Sequence, residues 1–153
     1  MIAMETEQAI REKAIRLLAR QEYSARELAT KLGTQFDPEL VDQILASLAE
    51  QGLQSDQRFA DGLVRGRINQ GHGPIRIQAE LKQKGIEPSL IQHVMESNAV
   101  DWFEQALSTY QRRFGTHHAT DMKVRAKQMR FLQYRGFSMD QIRFALDFDP
   151  AEP

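Results

Sequence analysis

The chain has 153 residues, 41% of them hydrophobic and 27% charged, with a net charge of −1; this is the composition of one ordinary globular domain or a short array of small repeats, and it excludes a disordered segment. It has no cysteine, which rules out disulfides, thiolate metal sites and cysteine nucleophiles and fits a reducing cytoplasm. No basic segment followed by an apolar stretch opens the chain, and no apolar run approaches the roughly 20 residues needed to cross a bilayer; a cytoplasmic protein with no membrane partner is expected.

After a short tail at residues 1–8, helical periodicity dominates. Ile10, Ala14, Leu17 and Leu18 fall on one face of a first helix that ends near Arg20–Tyr23. Ser24 caps a second helix, with Glu27 three residues on to complete a capping box ahead of Leu28 and Leu32, and Gly33 closes it. Asp37-Pro38 opens a third helix, whose inner stripe is Leu40, Val41, Ile44, Leu45 and Leu48, ending at Gly52.

The same pattern then returns. Ser55 caps a helix with Phe59, Leu63, Val64 and Ile68 inward; Gly71-His72-Gly73-Pro74 breaks it, and Pro74 starts the next helix through Ile77 and Leu81 to Gly85. Pro88 opens another with Leu90, Ile91, Val94 and Met95. Asp37-Pro38-Glu39-Leu40-Val41 and Glu87-Pro88-Ser89-Leu90-Ile91 lie 50 residues apart, with coincident apolar positions. Gly136-Phe137-Ser138-Met139 lies 51 residues beyond Gly85-Ile86-Glu87-Pro88, and Ile142, Ala145 and Leu146 stand where Ile91, Val94 and Met95 stood. A period near 50 with three helices per copy is the signature of a repeat array. The expected fold is all-α, with three-helix repeats at residues 9–54, 55–99 and 100–147 and a tail at 148–153. Gly115–Thr120 is the one long irregular linker, and the segment expected to be most mobile.

Catalytic chemistry finds no carrier. His93 and Glu96 share a helix face, but no further ligands accompany them, and there is no HExxH pattern. Gly71-His72-Gly73-Pro74 lacks the Lys-Ser/Thr of a phosphate loop and is preceded by no strand. The carboxylates lie mostly beside basic residues, away from the apolar setting that raises a catalytic pKa. A non-enzymatic protein without metal or cofactor is expected.

Binding has better candidates. Residues 1–54 carry 6 basic and 9 acidic side chains, residues 55–99 carry 6 and 5, and residues 100–147 carry 8 and 5, so positive charge gathers towards the C-terminus. Arg65, Arg67, Arg76, Lys82 and Lys84 stud the middle unit; two residues apart on a helix, Arg65 and Arg67 divide between the surface and an internal ion pair. Lys123, Arg125, Lys127, Arg130 and Arg135 populate the last unit, with Lys123, Lys127 and Arg130 at i, i+4 and i+7. A solvated helix face is the ordinary explanation of any one of them. Only Asp140 interrupts the run from Lys123 to Arg143, however, and such a stripe suits an acidic protein surface or nucleic-acid phosphates. Tyr134 stands at its edge as an anchor, whereas Phe137 reads as core.

Ser55-Asp56-x-Arg58-Phe59-Ala60, then Arg67, Gly71-x-Gly73-Pro74-x-Arg76-Ile77 and Glu80-Leu81-x-x-Lys84-Gly85-Ile86 resemble the hallmark segment of the RecX regulatory family. Tyr23-Ser24-x-x-Glu27-Leu28-x-x-Lys31-Leu32 and Arg130-Phe131-Leu132-x-Tyr134-Arg135-Gly136-Phe137 extend the resemblance over about residues 8–147. It implies three tandem three-helix repeats in a curved, elongated array. It also implies a modulator that docks in the groove of the RecA–single-stranded-DNA filament and inhibits recombinase, ATPase and co-protease activities, in recombination, DNA repair and the SOS response. A monomer, with weak non-specific DNA contact through the third unit, is expected. The alternative is a helix-turn-helix regulator acting directly on DNA. Against it, the segment Pro38–Glu50, its candidate recognition helix, carries no Arg or Lys.

Overall fold

Short apolar stripes with local caps and glycine stops specify helices of two to five turns, and helices are what form. The computed structural model describes residues 2–151, and among them nine helices run in chain order. These are α1 (Ile2–Arg20), α2 (Ala25–Leu32), α3 (Pro38–Glu50), α4 (Asp56–Asn69), α5 (Pro74–Gln83), α6 (Pro88–Ser97), α7 (Trp102–Phe114), α8 (Met122–Arg135) and α9 (Met139–Asp147). The all-helical expectation holds. α1 begins at Ile2, so residues 2–8, expected as a tail, are helical; of the C-terminal tail, Glu152 and Pro153 lie outside the described residues.

The caps show how local chemistry sets the boundaries. The Ser24 side chain accepts from the Glu27 N–H while the Glu27 carboxylate accepts from the Ser24 N–H, and Ser138 with Gln141 repeats the device at α9. Gly85 and Gly136 take φ values of +82° and +98°, the left-handed stops their places in the repeat predict. Gly33 closes α2 in right-handed geometry instead.

The chain divides into two compact units, Met1–Leu63 with Leu81–Ile91 and Val64–Glu80 with Gln92–Pro153. The first has a core of Ile10, Ala14, Leu28, Leu32, Val41, Leu45 and Leu48 from α1, α2 and α3. In it, Asp56 accepts from the Ala25 N–H and from the Gln54 amide, and Gln54 also donates to the Tyr23 carbonyl. The second unit has a core of Ala106, Tyr110, Leu132, Phe137, Ile142, Ala145 and Leu146 from α7, α8 and α9. Gln128 is buried beneath α8, where its side-chain oxygen accepts from the Tyr110 hydroxyl at 3.1 Å. In the linker between α7 and α8, His118 Nδ1 donates to the Leu146 carbonyl at 2.7 Å.

Candidate interaction surface

α8 turns Gln128 and Leu132 inward, and helical spacing therefore sends Lys123, Lys127, Arg130 and Tyr134 outward at i, i+4, i+7 and i+11. All four are exposed, and Tyr134 keeps 76% of its surface in solvent. Asp121 caps the helix at its N-terminus by accepting from the Lys123 N–H, so the stripe itself holds no acid. Arg76 extends it from α5: its guanidinium lies 4.9 Å from the Tyr134 ring centroid and donates to the Tyr134 carbonyl at 3.3 Å. A tyrosine under a guanidinium and beside Arg130 presents an amphipathic aromatic surface in a cationic surround.

The backbone sets this arrangement. Gly73 N–H donates to the Arg135 carbonyl at 2.7 Å, and Ile75 N–H donates to the Gly136 carbonyl at 3.0 Å. A Cβ on Gly73 would stand 2.4 Å from the Gly136 oxygen, and one on Gly136 would stand 2.3 Å from the Arg76 Cβ. Glycine at both positions is what lets the start of α5 seat directly on the end of α8 and carry Arg76 to Tyr134. The preceding turn is held from α7 and α8: Gln105 donates to the Ile68 carbonyl at 2.7 Å, Thr109 to the Gly71 carbonyl at 3.2 Å, and Arg135 to the Gln70 carbonyl at 2.7 Å.

The remaining sequence-selected cations divide by their partners. Arg65 and Lys82 are exposed. Arg67 forms a two-pronged pair with Glu80, at 2.7 and 2.6 Å, and these bonds hold its guanidinium pKa above the ordinary value. Lys84 pairs with Glu27 at 2.9 Å, and Arg125 with Asp147 at 2.7 Å. Arg67, Lys84 and Arg125 thus hold the fold, with less left to offer a partner. Sequence reasoning passed over Arg112 and Arg113, two exposed cations in the last turn of α7, where cations complement the helix dipole and attract no notice.

No group of three or more His, Asp or Glu among the described residues is arranged to hold a metal ion, and no helix is long and apolar enough to cross a membrane.

Comparison with known proteins decides the family. The models of the first, second and third RecX three-helix domains match residues 11–48, 55–95 and 99–146. The chain belongs to the RecX family. The RecX relative from Halorhodospira halophila, a regulatory protein, is 45% identical over 90% of this chain and 86% of its own length. The regulatory protein RecX of Ectopseudomonas mendocina is 42% identical over 88% of this chain and 90% of its own. Two RecX crystal structures share the fold. One, of a regulatory protein RecX, has a TM-score of 0.78 at 23% identity, covering 96% of this chain and 74% of that one. The other, from Lactobacillus salivarius, has a TM-score of 0.76 at 21% identity, covering 93% and 95%.

Proposed function

We propose that the chain binds the RecA–single-stranded-DNA filament in its groove and inhibits recombinase, ATPase and co-protease activity. The observation that carries this reading is the exposed stripe Lys123–Lys127–Arg130–Tyr134 with Arg76 stacked at its end, in a chain of the RecX family. Its chemistry suits a protein surface with acidic patches better than phosphates alone. Alongside the cations, α8 exposes Met122 and Val124 as well as Tyr134, apolar surface that a protein partner buries more readily than a phosphate backbone does. Arg65 and Lys82 are further exposed cations available to a partner, Arg135 faces Phe131 and the Gln70 carbonyl, and Arg67, Lys84 and Arg125 act mainly by holding helices in place. A ligand that prefers one state of an ATP-cycling filament stabilises that state and opposes turnover in proportion to the preference.

Direct regulation of DNA is the weaker reading. The exposed positions of α3 include Glu39, Asp42, Gln43 and Glu50, a face that repels phosphates. Non-specific DNA contact through α8 remains compatible with the stripe, and would fall steeply with salt.

Reversing charge at Lys123, Lys127 and Arg130 together tests the reading. Sedimentation with RecA filaments formed on single-stranded DNA should drop by about tenfold or more in affinity, in line with loss of several charge-assisted contacts, while far-ultraviolet circular dichroism stays unchanged. Undiminished co-sedimentation of the triple variant would remove the stripe from the contact.

A further inference from the structure

The Gly71 turn and the C-terminal ends of α7 and α8 enclose a cleft of about 240 Å³. Three arginines line it, Arg112 and Arg113 from α7 and Arg135 from α8, and no acidic residue does. Phe131 forms the apolar wall, with the Arg113 and Arg135 guanidinium carbons 5.5 and 4.8 Å from its ring centroid. A guanidinium stacked on a ring keeps its N–H edges for acceptors in its own plane. Arg135 gives one of its five N–H groups to the Gln70 carbonyl, and Thr109 fixes the Gly71 carbonyl, so the wall is set before anything enters.

Gathering three like charges around so small a space costs Coulomb energy, which an anion would reverse. His72, in the adjoining turn, shares one of these arginines: burial first, then Arg76, Arg135 and Arg67, push its pKa below the ordinary value, against an opposing effect of Glu80. A carboxylate offers two coplanar oxygens and a single charge, enough for one guanidinium fork. A phosphomonoester offers three terminal oxygens in tetrahedral array and about −1.5 to −2 charge, which answers three guanidiniums from two helices.

We infer that this cleft is a phosphate site that takes a phosphomonoester dianion through Arg112, Arg113 and Arg135. It is separate from the α8 stripe and does not depend on the partner proposed for that stripe. The dianion could come from a free nucleotide or from the phosphorylated end of a nucleic-acid strand; the terminal phosphate is the chemistry the two share.

Amide chemical shifts of the full chain, followed at low salt, test this with four probes: inorganic phosphate, adenosine 5′-diphosphate, a 5′-phosphorylated short oligothymidylate and the same strand without its phosphate. Saturable shifts at Gly71 and Thr109 are expected with inorganic phosphate and with at least one of the two phosphate esters, the stronger of them identifying the source. Substituting Arg112→Gln and Arg113→Gln together should weaken binding about tenfold or more, while Arg20→Gln, at an exposed cation of α1, leaves it unchanged. No saturable shift at Gly71 and Thr109 with any phosphate probe, equal affinity in the double variant, or shifts there from the unphosphorylated strand as strong as those from the better phosphate ester would overturn the site.

Discussion

Gly136 meets two demands that a side chain cannot. Its φ of +98° lies in the left-handed region, and a Cβ would collide with Arg76. Gly52 has a similar φ, +76°, yet nothing lies within 4 Å of where its Cβ would be. Gly52→Ala should therefore cost about 1 kcal/mol, the conformational penalty alone, and Gly136→Ala about 3 kcal/mol, since overpacking adds to it. Urea denaturation of the two variants measures the difference, and equal losses would contradict the close seating of α5 on α8. His72 carries a second residue-scale expectation. It is buried, its Nδ1 has no hydrogen-bond partner, and Arg67, Arg76 and Arg135 outweigh Glu80 around it. Its folded pKa is below the unfolded value near 6.5, so the unfolded chain binds the proton first. Stability should then fall as pH drops from about 7.5 to about 5.5, and His72→Gln should lose less over that range. A variant with the same pH slope in chemical denaturation as the parent chain would show that His72 is not the source.

Glu27 links an element to its neighbour. One carboxylate oxygen accepts from the Ser24 N–H to complete the α2 cap, while the other pairs with Lys84 just beyond α5. Glu27→Gln keeps a capping acceptor and loses only the ion pair, for about 0.5 kcal/mol; Glu27→Ala loses both, for about 1–2 kcal/mol. Thermal unfolding of the two should separate them, and identical midpoints would contradict the double role. Half of this arrangement is legible in the sequence. The Ser24–Glu27 box is a pattern four residues long, whereas the Lys84 contact joins positions 57 residues apart and leaves no periodic trace. The same contrast runs through the candidate surface. The spacing of Lys123, Lys127 and Arg130 places them together on α8, and the two-residue separation of Arg65 and Arg67 forecasts their divergence; which of the two pairs, and that Glu80 is its partner, comes only from the packing. The stack of Arg76 on Tyr134, and the convergence of Arg112, Arg113 and Arg135, depend on how α5, α7 and α8 pack and have no local signature.

At the scale of the whole chain, recurrence near 50 residues and the three matched RecX domains describe the same tripartite sequence. The two compact units cut across it: α4 contributes Asp56–Leu63 to the first unit and its remaining residues to the second. Sequence repeats follow the order of helices along the chain, whereas packing follows which apolar faces meet, and a middle repeat in an array has neighbours on either side to pack with. The positive side chains proposed to meet the filament, those of α8 with Arg76, all belong to the second unit. Hydrolysis of ATP by RecA on single-stranded DNA, measured while this protein is added at substoichiometric ratios, tests the central claim most directly. Hydrolysis should fall progressively at ratios well below one per RecA subunit, and the variant reversed at Lys123, Lys127 and Arg130 should need much higher concentrations for the same effect. Unchanged hydrolysis with this protein equimolar to RecA would contradict the account.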